Sequence, residues 1–111
     1  MASDREFVEF IVDQIKDAGD FGVRKMFGEY AIFGGGRIVA LIADNQLFVK
    51  ATGAGRALIG TPTEAPPYPG ARPWFLIDEV DDREWLARLI RETDRALPPA
   101  APPRARKGSR K

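Results

Sequence analysis

Residues 29–50 read EYAIFGGGRIVALIADNQLFVK, and this stretch decides the fold class. Apolar side chains recur in it at the spacing of β-strands, and two groups of turn-forming residues interrupt them, the glycines at 34–36 and Asp44-Asn45. Connections this short join antiparallel neighbours, because a parallel crossover needs about a dozen residues or more. The stretch therefore predicts consecutive antiparallel strands at about 29–33, 37–43 and 46–50.

The strand at 37–43 is apolar on both faces. Regular alternation places Ile38 and Ala40 on one face and Val39 and Leu41 on the other. Apolar residues on both faces indicate a central strand that is covered on each side. The second apolar face of this strand is covered either by a helix together with the proline-rich loop at 62–73 or by a partner.

The flanking segments complete an α+β pattern. Outside the central stretch we expect a helix over 3–18, a strand at 22–27, a turn and short helix at 52–60, a fifth strand at 74–77 and a last helix over about 82–96. Capping boxes, Ser3 with Glu6 and Asp81 with Glu84, mark the starts of the two long helices. Pro73 lacks an amide donor, which favours a sheet edge for the fifth strand. The fold class is thus α+β, with an antiparallel sheet of four to five strands flanked by an N-terminal and a C-terminal helix over residues 1–97.

A separate basic tail occupies residues 98–111. It holds five cations and no acid, which leaves residues 1–97 with twelve cations against sixteen acids. With nothing to bury, the tail is expected to be disordered. An acidic body argues against a broad nucleic-acid face on the fold, whereas the tail can make weak, salt-sensitive contacts with phosphates. The candidate nucleic-acid contacts are Arg104, Arg106, Lys107, Arg110 and Lys111.

The composition excludes several classes of chemistry. The chain has no cysteine and no histidine, which excludes disulfides, Cys/His zinc sites and histidine-activated nucleophiles. The acidic group at 78–84 lacks the spacing of a calcium loop, and we interpret it as helix capping and solvated charge. The glycines at 34–36 precede a strand rather than a helix, so they form a turn and no phosphate cradle. We expect no enzymatic activity, no cofactor and no metal.

The sequence also bears on location. The longest purely apolar run, 38–43, is six residues long, against roughly 20 for a membrane span. The amino terminus has no basic region followed by an apolar segment. We therefore expect a cytoplasmic protein without membrane contact.

Three segments resemble the amino-terminal domain of the TfoX/Sxy competence regulators. They are VRKMFGEYAIF at 23–33, IVALI at 38–42 and LFVKA at 47–51, and the order of elements fits residues 3–97. Glu29 and Ala31 stand where the family often has glycine. The motif residues are Arg24, Lys25, Met26, Phe27, Gly28 and Tyr30. Because Gly28 separates two strand segments, we expect a bulge or close backbone approach there.

The resemblance implies a compact α+β domain with no catalytic residues to transfer. Larger relatives regulate natural transformation and are proposed to act with a cyclic-AMP receptor-type activator. Where those regulators have a helical second domain, this sequence has the basic tail, so we expect a stand-alone domain.

These observations predict a non-enzymatic regulatory module that binds a protein partner, such as a transcription activator. Candidate partner-surface residues are Phe33 and Phe48 on the sheet face and Tyr68 in the proline-rich loop. The alternative is a weak DNA-binding accessory protein that acts through its tail. An open apolar sheet face also favours a symmetric homodimer.

Overall fold

A six-stranded antiparallel sheet with helices on one face forms the body of the protein. The computed structural model describes residues 3–26 and 28–99. The helices are α1 (Arg5–Ile15), which continues into a 3-10 turn (Lys16–Ala18), α2 (Gly53–Ile59) and α3 (Arg83–Ala96). The strands are β1 (Phe21–Met26), β2 (Glu29–Gly34), β3 (Arg37–Ala43), β4 (Gln46–Val49), β5 (Thr63–Ala65) and β6 (Trp74–Ile77), in the order β1-β2-β3-β4-β6-β5. The α+β class is confirmed, with one strand more than expected.

The core lies between the sheet and the helices. Side chains from α1 and α3 pack on the strand residues of one face, which we call the helix face; the opposite one is the open face. The fully buried side chains of the core include Ile11, Leu86, Leu89, Ile90, Ile42, Leu47 and Phe75. Burying a side chain of this size contributes about 1.5–3 kcal/mol, against about 0–1 kcal/mol for a surface ion pair. The helix-face core therefore dominates the stability.

Because of a β-bulge in β3, its side chains do not alternate between the two faces as predicted. The β2–β3 ladder pairs Ile32 with Ala40 and Phe33 with Ile38, so it skips Val39. An extra residue in one strand resets the alternation of side chains. Val39 consequently joins the helix-face core with Ala40, while Ile38 lies with Leu41 on the open face. The expectation that Val39 shares a face with Leu41 was wrong.

The predicted sheet edge at 74–77 was also wrong. Strand β6 lies between β4 and β5, and β5 forms the edge. Pro73 precedes the first residue of β6 and so removes no donor from its ladder. The edge strand has only three residues, between Pro62 and Pro66, too few for an alternation pattern to appear in the sequence.

The helix starts differ from the predicted capping boxes. The N-cap of α1 is Asp4, without a side-chain cap hydrogen bond, and Ser3 instead accepts a hydrogen bond at Oγ from the Asn45 amide, 3.0 Å away. The start of α3 lies one residue later than expected, where Asp82 accepts from the Trp85 amide at 3.1 Å. In the described part of the chain, no helix has the length and apolar character needed to cross a membrane.

Candidate functional site

An apolar groove of about 560 Å³ lies on the open face of the sheet. Residues of β2, β3 and β6 line it, together with Met26 at the end of β1 and Lys50 just after β4, and the loop between β5 and β6 supplies one wall. We call it the Tyr68 groove. Its lining residues include Met26, Glu29, Ile38, Leu41, Ala43, Lys50, Pro67, Tyr68 and Trp74.

A tight turn holds Tyr68 at this groove. The Ala71 amide donates to the Tyr68 carbonyl at 3.1 Å, Pro69 follows Tyr68, and Gly70 has a φ of +87°. Proline and then a positive-φ glycine at the two central positions are typical of a type II turn. The pairing of Ala65 with Trp74 closes the hairpin below the loop. The turn thereby positions the backbone of Tyr68 at the groove, and the residue is 57% exposed.

The other two candidate partner-surface residues lie in different environments. Phe33 is half-buried, and the Arg24 guanidinium lies over its ring at 5.3 Å. Phe48 pairs with Leu41 on one side and Leu76 on the other and is only 4% exposed. Phe48 is therefore inaccessible to a partner. Of the three candidates, Tyr68 lines the groove.

The family-motif residues divide between two surfaces. Met26 pairs with Glu29 across a two-residue connection in which Gly28 has a φ of +81°, and a β-carbon added to Gly28 would meet nothing within 4 Å among the described residues. Gly28 therefore serves a hairpin turn, and the expected bulge or close backbone approach there was wrong. Met26 lines the Tyr68 groove. Lys25 and Tyr30 pair directly and line a second cleft of about 750 Å³ between β1 and α1. Tyr30 also lines the Tyr68 groove. Phe27 and the five tail cations lie outside the described residues.

Two charged side chains line the Tyr68 groove, and their surroundings differ. The Glu29 carboxylate accepts the Ser3 amide at Oε1 and the Asp44 amide at Oε2, both at 2.9 Å. Burial raises the pKa of Glu29, but these hydrogen bonds from Asp44 and Ser3 outweigh it and hold the pKa below its ordinary value. The Lys50 ammonium lies 5.6 Å from the centre of the Trp74 ring.

Glu29 ties the chain before α1 to the β3–β4 turn, which yields a prediction. We expect Glu29→Gln to lower the free energy of unfolding by about 1–2 kcal/mol at pH 7, because an amide cannot accept at both positions and leaves one backbone donor unpaired. Urea unfolding measures this loss. Since the folded-state pKa is lowered, the stabilisation is present above the unfolded pKa and disappears as the pH falls through the folded value. The difference between wild type and variant should accordingly shrink at pH 3.

Glu6→Gln provides the control for this experiment. Glu6 is exposed in the first turn of α1, so its replacement should change stability by less than about 0.5 kcal/mol. Equal losses for the two variants, or a Glu29→Gln loss that is independent of pH, would contradict the assigned role of Glu29.

Two acidic side chains outside the groove, Asp13 and Asp17, form ion pairs between helices. Arg83 donates to Asp13 at 3.0 Å and lies 3.7 Å from Asp17, which links α3 to the end of α1. The hydrogen bond from Arg83, with a further contribution from Lys16, lowers the pKa of Asp13. Among residues 3–26 and 28–99, no three His, Cys, Asp or Glu side chains converge in a way that could hold a metal ion.

Comparison with known proteins identifies relatives of the chain. The sequence model of the TfoX N-terminal domain matches residues 13–97. A protein of Spirochaeta aurantia, described as an uncharacterized 12.7 kDa protein in the trpE 5′ region, is 36% identical over 107 residues. The match covers 96% of this chain and 93% of that protein. The resemblance noted in the sequence is thereby confirmed.

Proposed function

The chain belongs to the TfoX N-terminal domain family, and from that premise we propose that it is a non-enzymatic regulatory module that binds a protein partner in the Tyr68 groove. The observation that carries the proposal is the exposed Tyr68, whose backbone lies in a tight turn at the wall of an apolar groove. Tyrosine is enriched among the residues that dominate binding energy, and apolar concave surfaces accept the anchoring side chains of partners.

The family resemblance supports a proposal for the class of partner. Larger relatives with this domain are regulators of competence genes, so we propose a transcription activator as the partner and the cytoplasm as the compartment. The fold contributes a rigid platform: β3 and β4 are central strands, and the bulge at Val39 directs Ile38 and Leu41 toward the groove.

A displayed library of random 12-residue peptides tests the proposal. Selection on the immobilised protein should recover apolar peptides, and Tyr68→Ala should weaken their binding at least tenfold, which corresponds to about 1.4 kcal/mol. Phe10→Ala is the matched control, because Phe10 is an exposed aromatic on α1 that does not line the groove. Failure to recover any peptide, or equal losses for the two variants, would refute docking in the groove.

The charge distribution favours a second candidate function, DNA binding through the tail. The five cations of residues 98–111 follow a body with a formal charge of −4. Neutralising five phosphates gives a slope of about −4.5 in a plot of log affinity against log salt. Binding to a labelled duplex should therefore fall steeply with salt and be lost in a chain that ends at Leu97. Equal affinity of the two forms would exclude the tail.

A homodimer is the third arrangement we propose to test. The groove offers an apolar surface to a second copy, and isologous dimers are the commonest oligomers. Sedimentation velocity at increasing concentration would detect such a dimer, and Tyr68→Ala should shift it toward the monomer. A single monomeric species at every concentration would leave the groove to a different protein.

A further inference from the structure

We infer that Lys50 determines the specificity of the Tyr68 groove, and that the partner segment places a carboxylate side chain next to an apolar or aromatic one. The inference rests on the proposed function and deepens it, since it names the chemistry of the partner. Lys50 directly follows β4, and its amide donates to the Val39 carbonyl at 3.0 Å, which fixes its backbone beside the bulge of β3.

The Lys50 ammonium has no acidic partner among the described residues, where no Asp or Glu oxygen lies within 4.0 Å of it. Its contact is with the face of Trp74. A lysine ammonium carries three donors, and the ring of Trp74 provides none of the strong acceptors that these donors prefer. An incoming carboxylate can therefore bind Lys50 without displacing an existing ion pair.

Glu29, the other charged residue of the groove, is less available to a cationic partner. Both oxygens of Glu29 already accept backbone amides, of Ser3 and Asp44. A further donor from a partner would compete with these hydrogen bonds. The two charged groups of the groove thus favour an anionic partner at Lys50 over a cationic partner at Glu29.

The surroundings of Lys50 determine what accompanies the carboxylate. Trp74, Tyr68 and Leu41 line the groove together with Lys50, so a group beside the carboxylate meets apolar and aromatic surface. Ion pairs strengthen as water is excluded and the effective dielectric constant falls. A partner side chain that fills the groove consequently strengthens the ion pair at Lys50, and the two contacts favour the same ligand.

Charge reversal tests the inference with the same random 12-residue library. We expect peptides selected on the wild type to carry Asp or Glu next to an aromatic or aliphatic residue, and those selected on Lys50→Glu to carry Arg or Lys there. Lys25→Glu is the matched control, because Lys25 lines the cleft against α1 on the helix face, and its selected peptides should match those of the wild type. Urea unfolding verifies that each variant is folded.

A neutral variant keeps the test decisive if charge reversal impairs folding. A peptide selected on the wild type should bind Lys50→Gln at least tenfold more weakly, with a smaller dependence on salt. Peptides without acidic residues, or unchanged binding by Lys50→Gln, would overturn the role of Lys50 while leaving docking in the groove intact. No enrichment on the wild type would overturn the proposed function as well.

Discussion

Replacing Arg37 with methionine is expected to lower the free energy of unfolding by about 3 kcal/mol, because the change breaks a partly buried ion pair and leaves its acidic partner uncompensated. Arg37 Nη2 pairs with Asp94 Oδ1. Its Nη1 donates to the carbonyls of Asp94 and Leu97, each at 3.0 Å, and of Pro98 at 3.1 Å. The last carbonyls of a helix lack partners within the helix and favour a nearby cation. Arg37, the first residue of β3, therefore completes the end of α3.

The control for Arg37 is Arg88→Met on the exposed surface of α3, which should change stability by less than about 0.5 kcal/mol. Guanidinium chloride unfolding of Arg37→Met, Asp94→Asn and the double variant measures the coupling. We expect the double variant to lose less than the sum of the single losses, since each single change leaves the other partner unpaired. Additive losses would show that the two side chains act independently.

Gly34→Ala is expected to lower stability by about 2 kcal/mol through overpacking. A β-carbon at this position would lie 2.5 Å from Cε1 of Phe21 and 3.1 Å from Oδ1 of Asp94. Gly34 pairs with Phe21 across β1 and β2. The Phe21 ring therefore occupies the space that a side chain at position 34 would need. Thermal or urea unfolding of the variant measures the cost.

Gly22 offers the matched control for Gly34. It lies in the same pair of strands, and an added β-carbon there meets nothing within 4 Å. We expect Gly22→Ala to be neutral or to stabilise by about 0.5 kcal/mol, because glycine within a strand has a high conformational entropy when unfolded. In a Phe21→Leu background, the cost of Gly34→Ala should fall below about 1 kcal/mol. An undiminished cost there would point to a cause other than the ring.

The three consecutive glycines show which structural features the local sequence predicts and which it does not. Gly35 and Gly36 have φ values of +61° and +80°, as a two-residue hairpin turn requires, whereas the predicted turn included all three glycines. Gly34 belongs to β2 instead. Glycine is required there because the Phe21 ring, 13 positions away in the sequence, occupies the space of a side chain. The turn was predictable because its requirement is local. The packing requirement at Gly34 depends on a strand pairing that composition does not specify.

The same distinction explains the errors around β3 and α1. Alternation predicted a central strand, but the bulge that moves Val39 into the core depends on the pairing with β2. Ser3 satisfies the local pattern of a capping box, yet Glu29 and Asn45 offer it better-placed partners from the sheet. Tertiary hydrogen bonds replaced the local ones in this case.

Of the residues that line the groove, Tyr68 was predicted from the sequence as a partner-surface candidate, and Met26 and Tyr30 were identified as family-motif residues. Lys50 and Trp74 meet at the groove because β4 pairs with β6 after the chain has passed through α2 and β5. Neither residue carries a local motif that would place it beside Tyr68. The position of Tyr68 in the proline-rich loop was the visible signal, and strand order brings the other groove residues to it.

The measurement that most directly tests docking in the Tyr68 groove is a titration of the isotope-labelled protein with a library-selected peptide, followed by amide chemical shifts. We predict that the largest shift changes cluster at Leu41, Lys50, Tyr68 and Trp74 and that Phe10 on α1 is unaffected. Shift changes concentrated in the cleft between β1 and α1, with the amides of Tyr68 and Trp74 unmoved, would contradict the account.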